Sequence, residues 1–199
     1  LLDELHKIGT KDIYFSGGGE PFMHPQVMEI LEYAKKNGFT CLVNTNFTLL
    51  DKEKLKRLVN LGVDHLTVST WAATDNTYAA THPNKNEDTF LQIIDNLKFL
   101  NQIKQNLPHI TLYNVIFNAN YHELKGMIAL AKDTGSESVE FTLIDTMPGK
   151  TDKLILSSKQ IEELQEEARE IAQGIDVNGY SDGIEVCRFD SFSRRISSS

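Results

Sequence analysis

Ile13-Tyr14-Phe15-Ser16-Gly17-Gly18-Gly19-Glu20-Pro21 is the stretch on which the reading of the whole chain turns. A short apolar run of strand character enters three successive glycines, and a helical pattern opens near Pro25. With no Cβ at Gly17, Gly18 or Gly19, backbone amides and carbonyls can lie directly against a ligand, and the adjoining Glu20 carboxylate suits an ammonium group. At the carboxyl end of a parallel strand, such a turn occupies the place where α/β proteins bind ligands. A bare glycine run also serves as a plain strand-to-helix turn with a solvated glutamate. The flanking elements decide between these readings.

Outward from this turn, strands and helices alternate. Leu1, Leu2, Leu5 and Ile8 have helical spacing and stop at Gly9, so the chain is expected to open inside a helix. A strand near Asp12 to Phe15 leads to a helix from about Pro25 to Asn37, ended by Gly38, and to a strand at Phe39 to Thr45. Asp51 caps a helix over Lys52 to Asn60, Gly62 ends it, and Val63 to Ser69 is the next strand. A loop with Trp71 and a Thr74 to Ala80 turn precedes a helix over Glu87 to Lys104, with Phe90, Ile93, Ile94, Leu97 and Leu100 on one face. A strand at Ile110 to Phe117, a helix at Tyr121 to Thr134 and a strand at Ser138 to Ile144 follow. Ser157 and Gln160 form a capping-box start for a helix to Ala172, whose cluster Glu162, Glu163, Glu166, Glu167 and Glu170 is its solvated face.

Five strands, each followed by a helix with right-handed crossovers, predict an α/β fold whose parallel sheet curls into a full or partial barrel; an open doubly wound sheet is the alternative. Residues 1–173 form this core. Residues 174–199 carry a weaker pattern around Ile184-Glu185-Val186 and read as a tail, expected to lead into a further domain, with a frayed Ser197-Ser198-Ser199 end.

The 199 residues, 40% of them hydrophobic, suffice for a core, and the net charge of -8 argues against non-specific binding to nucleic acid or an anionic membrane. No apolar run approaches the roughly 20 residues that span a bilayer. Two distant cysteines, Cys41 and Cys187, make neither a disulfide framework nor a thiolate metal site, so a reducing cytoplasm is the default location. His65, His82, His109 and His122 lack metal-ligand spacing. The glycine run lacks both the P-loop ending and the dinucleotide spacing. The strand ends instead bring Gly17 to Glu20, Asn44 to Asn46, Ser69 and Thr70, Asn118 and Asn120, and Asp145 and Thr146 towards one rim. Such a polar, nearly neutral crown suits a zwitterionic or hydroxylated ligand.

Tyr14-Phe15-Ser16-Gly17-Gly18-Gly19-Glu20-Pro21, with the Asn44-Thr45-Asn46 strand end and the Leu66-Thr67-Val68-Ser69 strand, resembles the core of radical S-adenosylmethionine enzymes over about Leu1 to Ala172. In that family a Gly-Gly-Glu segment holds the ammonium of the cofactor's methionine portion, which the resemblance carries to Gly18, Gly19 and Glu20. Ser69 matches a strand-end serine that contacts the cofactor. Asn46 stands in a turn that is usually Thr-Asn-Gly, with Phe47 in place of the glycine. The implied cofactor-binding set is Gly17, Gly18, Gly19, Glu20, Asn46 and Ser69. Asn120 with Glu123-Leu124 resembles an Asn-x-x-Glu-Leu segment of the family, for which helix capping is the expected role.

The family's three-cysteine motif, which ligates a four-iron four-sulfur (4Fe-4S) cluster, has no counterpart among these residues. The expectation is a TIM-like partial barrel with five of six βα units present, its first strand and cluster loop lying upstream of Leu1. The resemblance implies one-electron reduction of the sulfonium by the cluster, a 5′-deoxyadenosyl radical, an electron donor as partner, and a substrate preferred to be a peptide or cell-surface precursor. Without cluster ligands, this chain alone is not expected to carry out that chemistry. The rival readings are a non-catalytic, cluster-less ligand-binding barrel and a hydrolase or lyase using Glu20 and Asp145 as acid and base.

Overall fold

The computed structural model describes residues 1–83 and 85–197. Helix α1 (Leu2–Lys7) precedes strand β1 (Asp12–Phe15), and Pro21–Met23 form a short 3-10 turn before α2 (Val27–Lys36). There follow β2 (Thr40–Thr45), α3 (Lys52–Leu61), β3 (His65–Ser69), α4 (Asp75–Thr81), α5 (Glu87–Ile103), β4 (His109–Ile116), α6 (Leu124–Thr134), β5 (Ser138–Leu143) and α7 (Ser158–Gly174). The chain closes with β6 (Tyr180–Ser181), β7 (Ile184–Cys187) and α8 (Phe189–Ser197). Of the serine end expected to fray, Ser197 belongs to α8, and Ser198 and Ser199 lie outside the described residues.

Local chemistry sets the boundaries. The Asp51 carboxylate accepts from Lys54 N at 2.8 Å at the start of α3, and Gly62 ends it in the left-handed conformation at φ 67°. Ser157 and Gln160 close the capping box of α7, with Ser157 N donating to Gln160 Oε1 at 2.9 Å.

The sheet order is β1-β2-β3-β4-β5-β7-β6, parallel throughout except for the β6–β7 hairpin. From β1 to β5 the strand order follows chain order, with β7 added beside β5 and β6 beyond it, so right-handed crossovers lay the helices on one face and the sheet curls around the other. This is a singly wound, open partial barrel, and the doubly wound alternative falls because it requires a switch in strand order. Alternation separates the faces. Cys41, Val43, Leu66, Val68, Ile110, Leu112, Val139 and Phe141 are buried in the core against the helices. The register places Asn44, Thr67, Thr111 and Ser138 on the opposite, concave face, followed by Ser69, Tyr113 and Glu140 one row higher.

Two segments differ from the sequence reading. Thr74 to Ala80 is not a turn: the Thr74 hydroxyl caps α4, accepting from Thr77 N at 3.3 Å. Beyond Gly174, β7 pairs in parallel with β5, and Phe189 and Phe192 of α8 pack against Phe141 at ring-centroid distances of 6.1 and 5.6 Å. The hairpin before β7 turns on Asp182 and Gly183, at φ 53° and 86°, the positive pair that an Asp-Gly two-residue turn supplies.

At the amino end of the concave face, the His65 and His109 rings lie 5.0 Å apart, and His65 Nε2 is 2.9 Å from Thr111 Oγ1. Burial first, then the charge of His109, hold His65 below the usual value of 6.5. Burial does the same to His82. A histidine whose pKa is lowered on folding contributes stability present above its unfolded value and lost as pH falls through the folded one. Denaturant unfolding followed from about pH 8 to about pH 5 should show stability declining below about 6.5, and His65→Asn should flatten part of that decline.

Candidate functional site

Three strand ends converge on a cavity of about 550 Å³. Ser16 to Glu20 line it from the end of β1, Asn44 to Asn46 from β2, Ser69 from β3, and Trp71 and His82 from beyond β3. Gly17, Gly18, Gly19, Glu20, Asn46 and Ser69 are therefore neighbours in space, drawn from three separate stretches of chain.

Glu20 is the most constrained of them. Its Oε1 accepts from Phe22 N at 3.2 Å and from the Thr45 hydroxyl at 2.7 Å, and its Oε2 accepts from Asn46 N at 2.6 Å. A carboxylate offers about four acceptor positions, so these bonds fix its orientation and leave capacity for a cation. Thr45 Oγ1 in turn accepts from Phe47 N at 2.9 Å, which locks the turn after β2. Asn46 Oδ1 accepts from Thr48 N at 3.1 Å and Thr48 Oγ1 at 2.8 Å, so the uncommitted end of that side chain is its NH₂. Phe47, standing where the resemblance expects glycine, adopts the left-handed conformation itself at φ 63° and buries its ring completely.

The three glycines differ in what the backbone asks of them. Gly17 requires glycine because its φ is 144°. Gly18 and Gly19 have no such φ, and a Cβ built on either meets nothing within 4 Å. A second cavity of about 310 Å³, lined by Phe15, His24, Val27 and Ile30, opens on the other side of the same loop. Neither backbone nor neighbours forbid a side chain there, and the bare backbone leaves room for a ligand to approach closely.

The far wall is aromatic. Trp71 lies against His82 with centroids 5.5 Å apart, His82 stacks on Tyr78 at 4.0 Å, and Tyr78 meets Phe90 at 5.2 Å, running the stack from the cavity into the core. His82 Nδ1 lies 3.1 Å from the Tyr78 carbonyl and 3.0 Å from Thr81 Oγ1, which holds the ring in place at the end of α4. Sequence reading missed His82 because α4 was read as a turn; the signal available was the Tyr78–His82 spacing of four on a helix.

Glu123 occupies the N-cap position of α6, but neither its side chain nor that of Asn120 caps the helix. Asn120 Nδ2 donates to the Trp71 carbonyl at 2.8 Å and the Val115 carbonyl at 2.9 Å, and Asn120 Oδ1 accepts from Phe117 N at 2.9 Å. Glu123 accepts from Ala73 N at 2.8 Å, Thr74 Oγ1 at 2.9 Å and Thr77 Oγ1 at 2.8 Å. Both brace the loop that carries Trp71. The outer strand ends do not join the cavity. Asn118 donates to the Lys153 carbonyl at 2.7 Å, and Asp145, 87% exposed, pairs with Arg195 at 3.6 Å. Glu20 and Asp145 are thus not an acid–base pair across one site.

Among the described residues, no three His, Cys, Asp or Glu side chains group to hold a metal. Cys41 is buried in β2, where burial pushes its thiol up to about 11, and burial raises Cys187 as well. The described residues therefore do not fit an iron–sulfur cluster. No helix of the described residues is long and apolar enough to cross a membrane.

The profile of the Radical SAM superfamily matches residues 1–131. The chain is 30% identical over 142 residues to the tungsten-containing aldehyde ferredoxin oxidoreductase cofactor-modifying protein of Pyrococcus furiosus, covering 70% of this chain and 40% of that protein. It is 27% identical over 192 residues to the PqqA peptide cyclase of Granulibacter bethesdensis, covering 90% of this chain and 48% of that protein. Streptococcus suis SuiB bound to precursor peptide SuiA shares the fold with a TM-score of 0.68 and 14% identity, over 98% of this chain and 43% of SuiB. The chain spans less than half the length of each of these three proteins.

The left-handed turn at Phe47 makes a test of its own. Phe47→Ala should cost about 3–5 kcal/mol through loss of a buried ring. Phe47→Gly should be about 1 kcal/mol more stable than Phe47→Ala, because glycine takes this φ without strain. Urea unfolding of the two variants measures the order, and an alanine variant equal to or better than glycine would show that the turn holds no strain.

Proposed function

Because this chain belongs to the radical S-adenosylmethionine superfamily, we propose that its cavity binds S-adenosylmethionine and that it is the cofactor-binding core of an enzyme that modifies a peptide. One observation carries the cofactor reading: a carboxylate fixed by three hydrogen bonds stands beside glycines that the chain's own packing does not require. When bound, S-adenosylmethionine with an iron–sulfur cluster would supply the one-electron chemistry by which the superfamily abstracts hydrogen from substrate.

The residues present here bind and orient. Glu20 receives the ammonium of the methionine portion, held at the correct angle by Thr45 and the Asn46 amide. Gly18 and Gly19 let the ligand's backbone-like atoms reach main-chain donors and acceptors. Asn46 and Ser69 add neutral donors, and Trp71 with His82 excludes water from the far side. A cluster, and the external electron donor such chemistry needs, involve groups other than these. The peptide class is supported by the relatives, whose names include a peptide cyclase and a complex with a precursor peptide. The polar concave face, with Thr67, Tyr113 and Glu140 in adjacent positions, offers an extended chain hydrogen-bonding partners beside the cavity.

Glu20→Gln tests the reading. Calorimetric titration should show S-adenosylmethionine affinity reduced about tenfold or more, since one charge-assisted bond is lost, with the circular dichroism spectrum unchanged. Affinity equal to that of the parent chain would remove Glu20 from the binding site and the cofactor reading with it.

A further inference from the structure

The loop from Asp145 to Ile155 leaves the carboxyl end of β5, the end of the sheet at which the cavity opens, and supplies none of the cavity's lining. Its own bonds hold it in shape. The buried Thr151 hydroxyl donates to the Asp145 carbonyl at 3.0 Å and accepts from Met147 N at 2.7 Å, and Lys150 N donates to the Met147 carbonyl at 2.9 Å. Gly149 turns the chain at φ 76°, with its amide on Asp152 Oδ2 at 2.8 Å. Asn118, after β4, fastens the far end by donating to the Lys153 and Leu154 carbonyls at 2.7 and 3.1 Å.

A loop this firmly bonded nevertheless turns apolar side chains outward. Met147 is 49% exposed and Ile155 42%, and Pro148 is exposed beside Met147. Its lysines are set apart in the same way. Lys35, Lys104, Lys125 and Lys132 each meet a carboxylate, whereas among the described residues the Lys150 and Lys153 ammonium groups have no partner. The loop's two carboxylates are already engaged, Asp152 by the Gly149 amide and Asp145 by Arg195 at 3.6 Å. On a chain of net charge -8, this rim therefore presents unpaired positive charge beside exposed apolar surface, which an anionic, partly apolar partner complements.

We propose that this loop is a docking lip for an acidic segment of a peptide substrate: Lys150 and Lys153 meet its carboxylate side chains, and Met147 and Ile155 meet an aliphatic or aromatic side chain between them. The inference rests on the peptide part of the reading above and is independent of the cofactor part. Two strand spacings, about 10 Å, separate β5 from β3, whose end lines the cavity, and about three extended residues span that distance. A segment held at the lip thus keeps its neighbours within reach of the cavity. Because the loop is already ordered, docking costs little conformational entropy on this side.

Fluorescence anisotropy of the full chain tests this with three labelled peptides of equal length: one of glutamates and leucines, its counterpart with glutamines for the glutamates, and its counterpart with serines for the leucines. The first should bind tightest, with an affinity that falls as salt rises. Lys150→Gln combined with Lys153→Gln should weaken it about fivefold, and Met147→Ser about threefold, while S-adenosylmethionine affinity stays that of the parent chain. Binding of the glutamine peptide as tight as that of the first, and indifferent to both lysine substitutions, would overturn the lip and leave the peptide reading standing. Equal binding of the serine peptide would show non-specific charge attraction and overturn the lip as well. Displacement of the first peptide by a lower concentration of single-stranded RNA would overturn the peptide assignment in favour of nucleic acid. Saturable binding of none of the three would overturn the lip, while the Glu20→Gln titration decides the cofactor reading on its own.

Discussion

The site depends on the clasp between the Glu20 carboxylate and the end of β2. A flexible glycine loop has no side chains with which to anchor itself, and its conformational freedom in the unfolded chain makes it expensive to order. Glu20 resolves this by binding the Thr45 hydroxyl and the Asn46 amide of the neighbouring strand end and the Phe22 amide of the following turn. The carboxylate that orders the loop is also the one that faces the cavity. Its negative charge is thus held by neutral donors, which leaves it available to a cationic ligand rather than neutralised by a lysine or arginine of the chain.

A second brace works from the opposite side. Asn120 and Glu123, downstream of β4, reach across to the loop after β3 and hold its backbone at Trp71 and Ala73. Glu123 engages three donors there and Asn120 engages three backbone groups. The two braces fix the near and far walls independently, and the cavity is the space between them. Rigidity lies in the main chain of both walls. The indole of Trp71, packed against His82, holds a buried Nε1 without a partner among the described residues.

The one-sided winding of the sheet explains why the site is polar and accessible. All the crossovers fall on the same face, so apolar alternate residues such as Val43, Val68 and Leu112 are consumed by the helical layer. The other set, including Asn44, Ser69, Tyr113 and Glu140, is left lining a concavity. The last strand extends that surface: β7 adds to β5, and α8 seals the core behind it with Phe189, Phe192 and Ile196.

How much of this was legible depended on whether the signal was local. The alternation of strands and helices, the Asp51 and Ser157 caps and the terminator at Gly62 rest on neighbouring residues, so the winding of the core follows from the chain itself. The glycine run with Glu20 marked the strand end that lines the cavity for the same reason. Helix α4 was hidden because its stability comes from Glu123 and from Tyr78 packing on Phe90, contacts that join distant positions. The hairpin at Asp182-Gly183 had a local turn signal, but strands of two and four residues are too short to show a period, and only pairing with β5 makes β7 a strand. Asn120 and Glu123 carried the pattern of helix caps, and tertiary geometry turned them into braces, since a side chain bonds to whichever unsatisfied donor the fold brings within reach. The sequence by itself determined the order of elements from α1 to α7, α4 excepted, and the residue types at the first strand end. Tertiary structure alone decided that His82 and Trp71 share a cavity with Glu20 and that Asp145 does not, because both outcomes depend on which loops the curled sheet brings together.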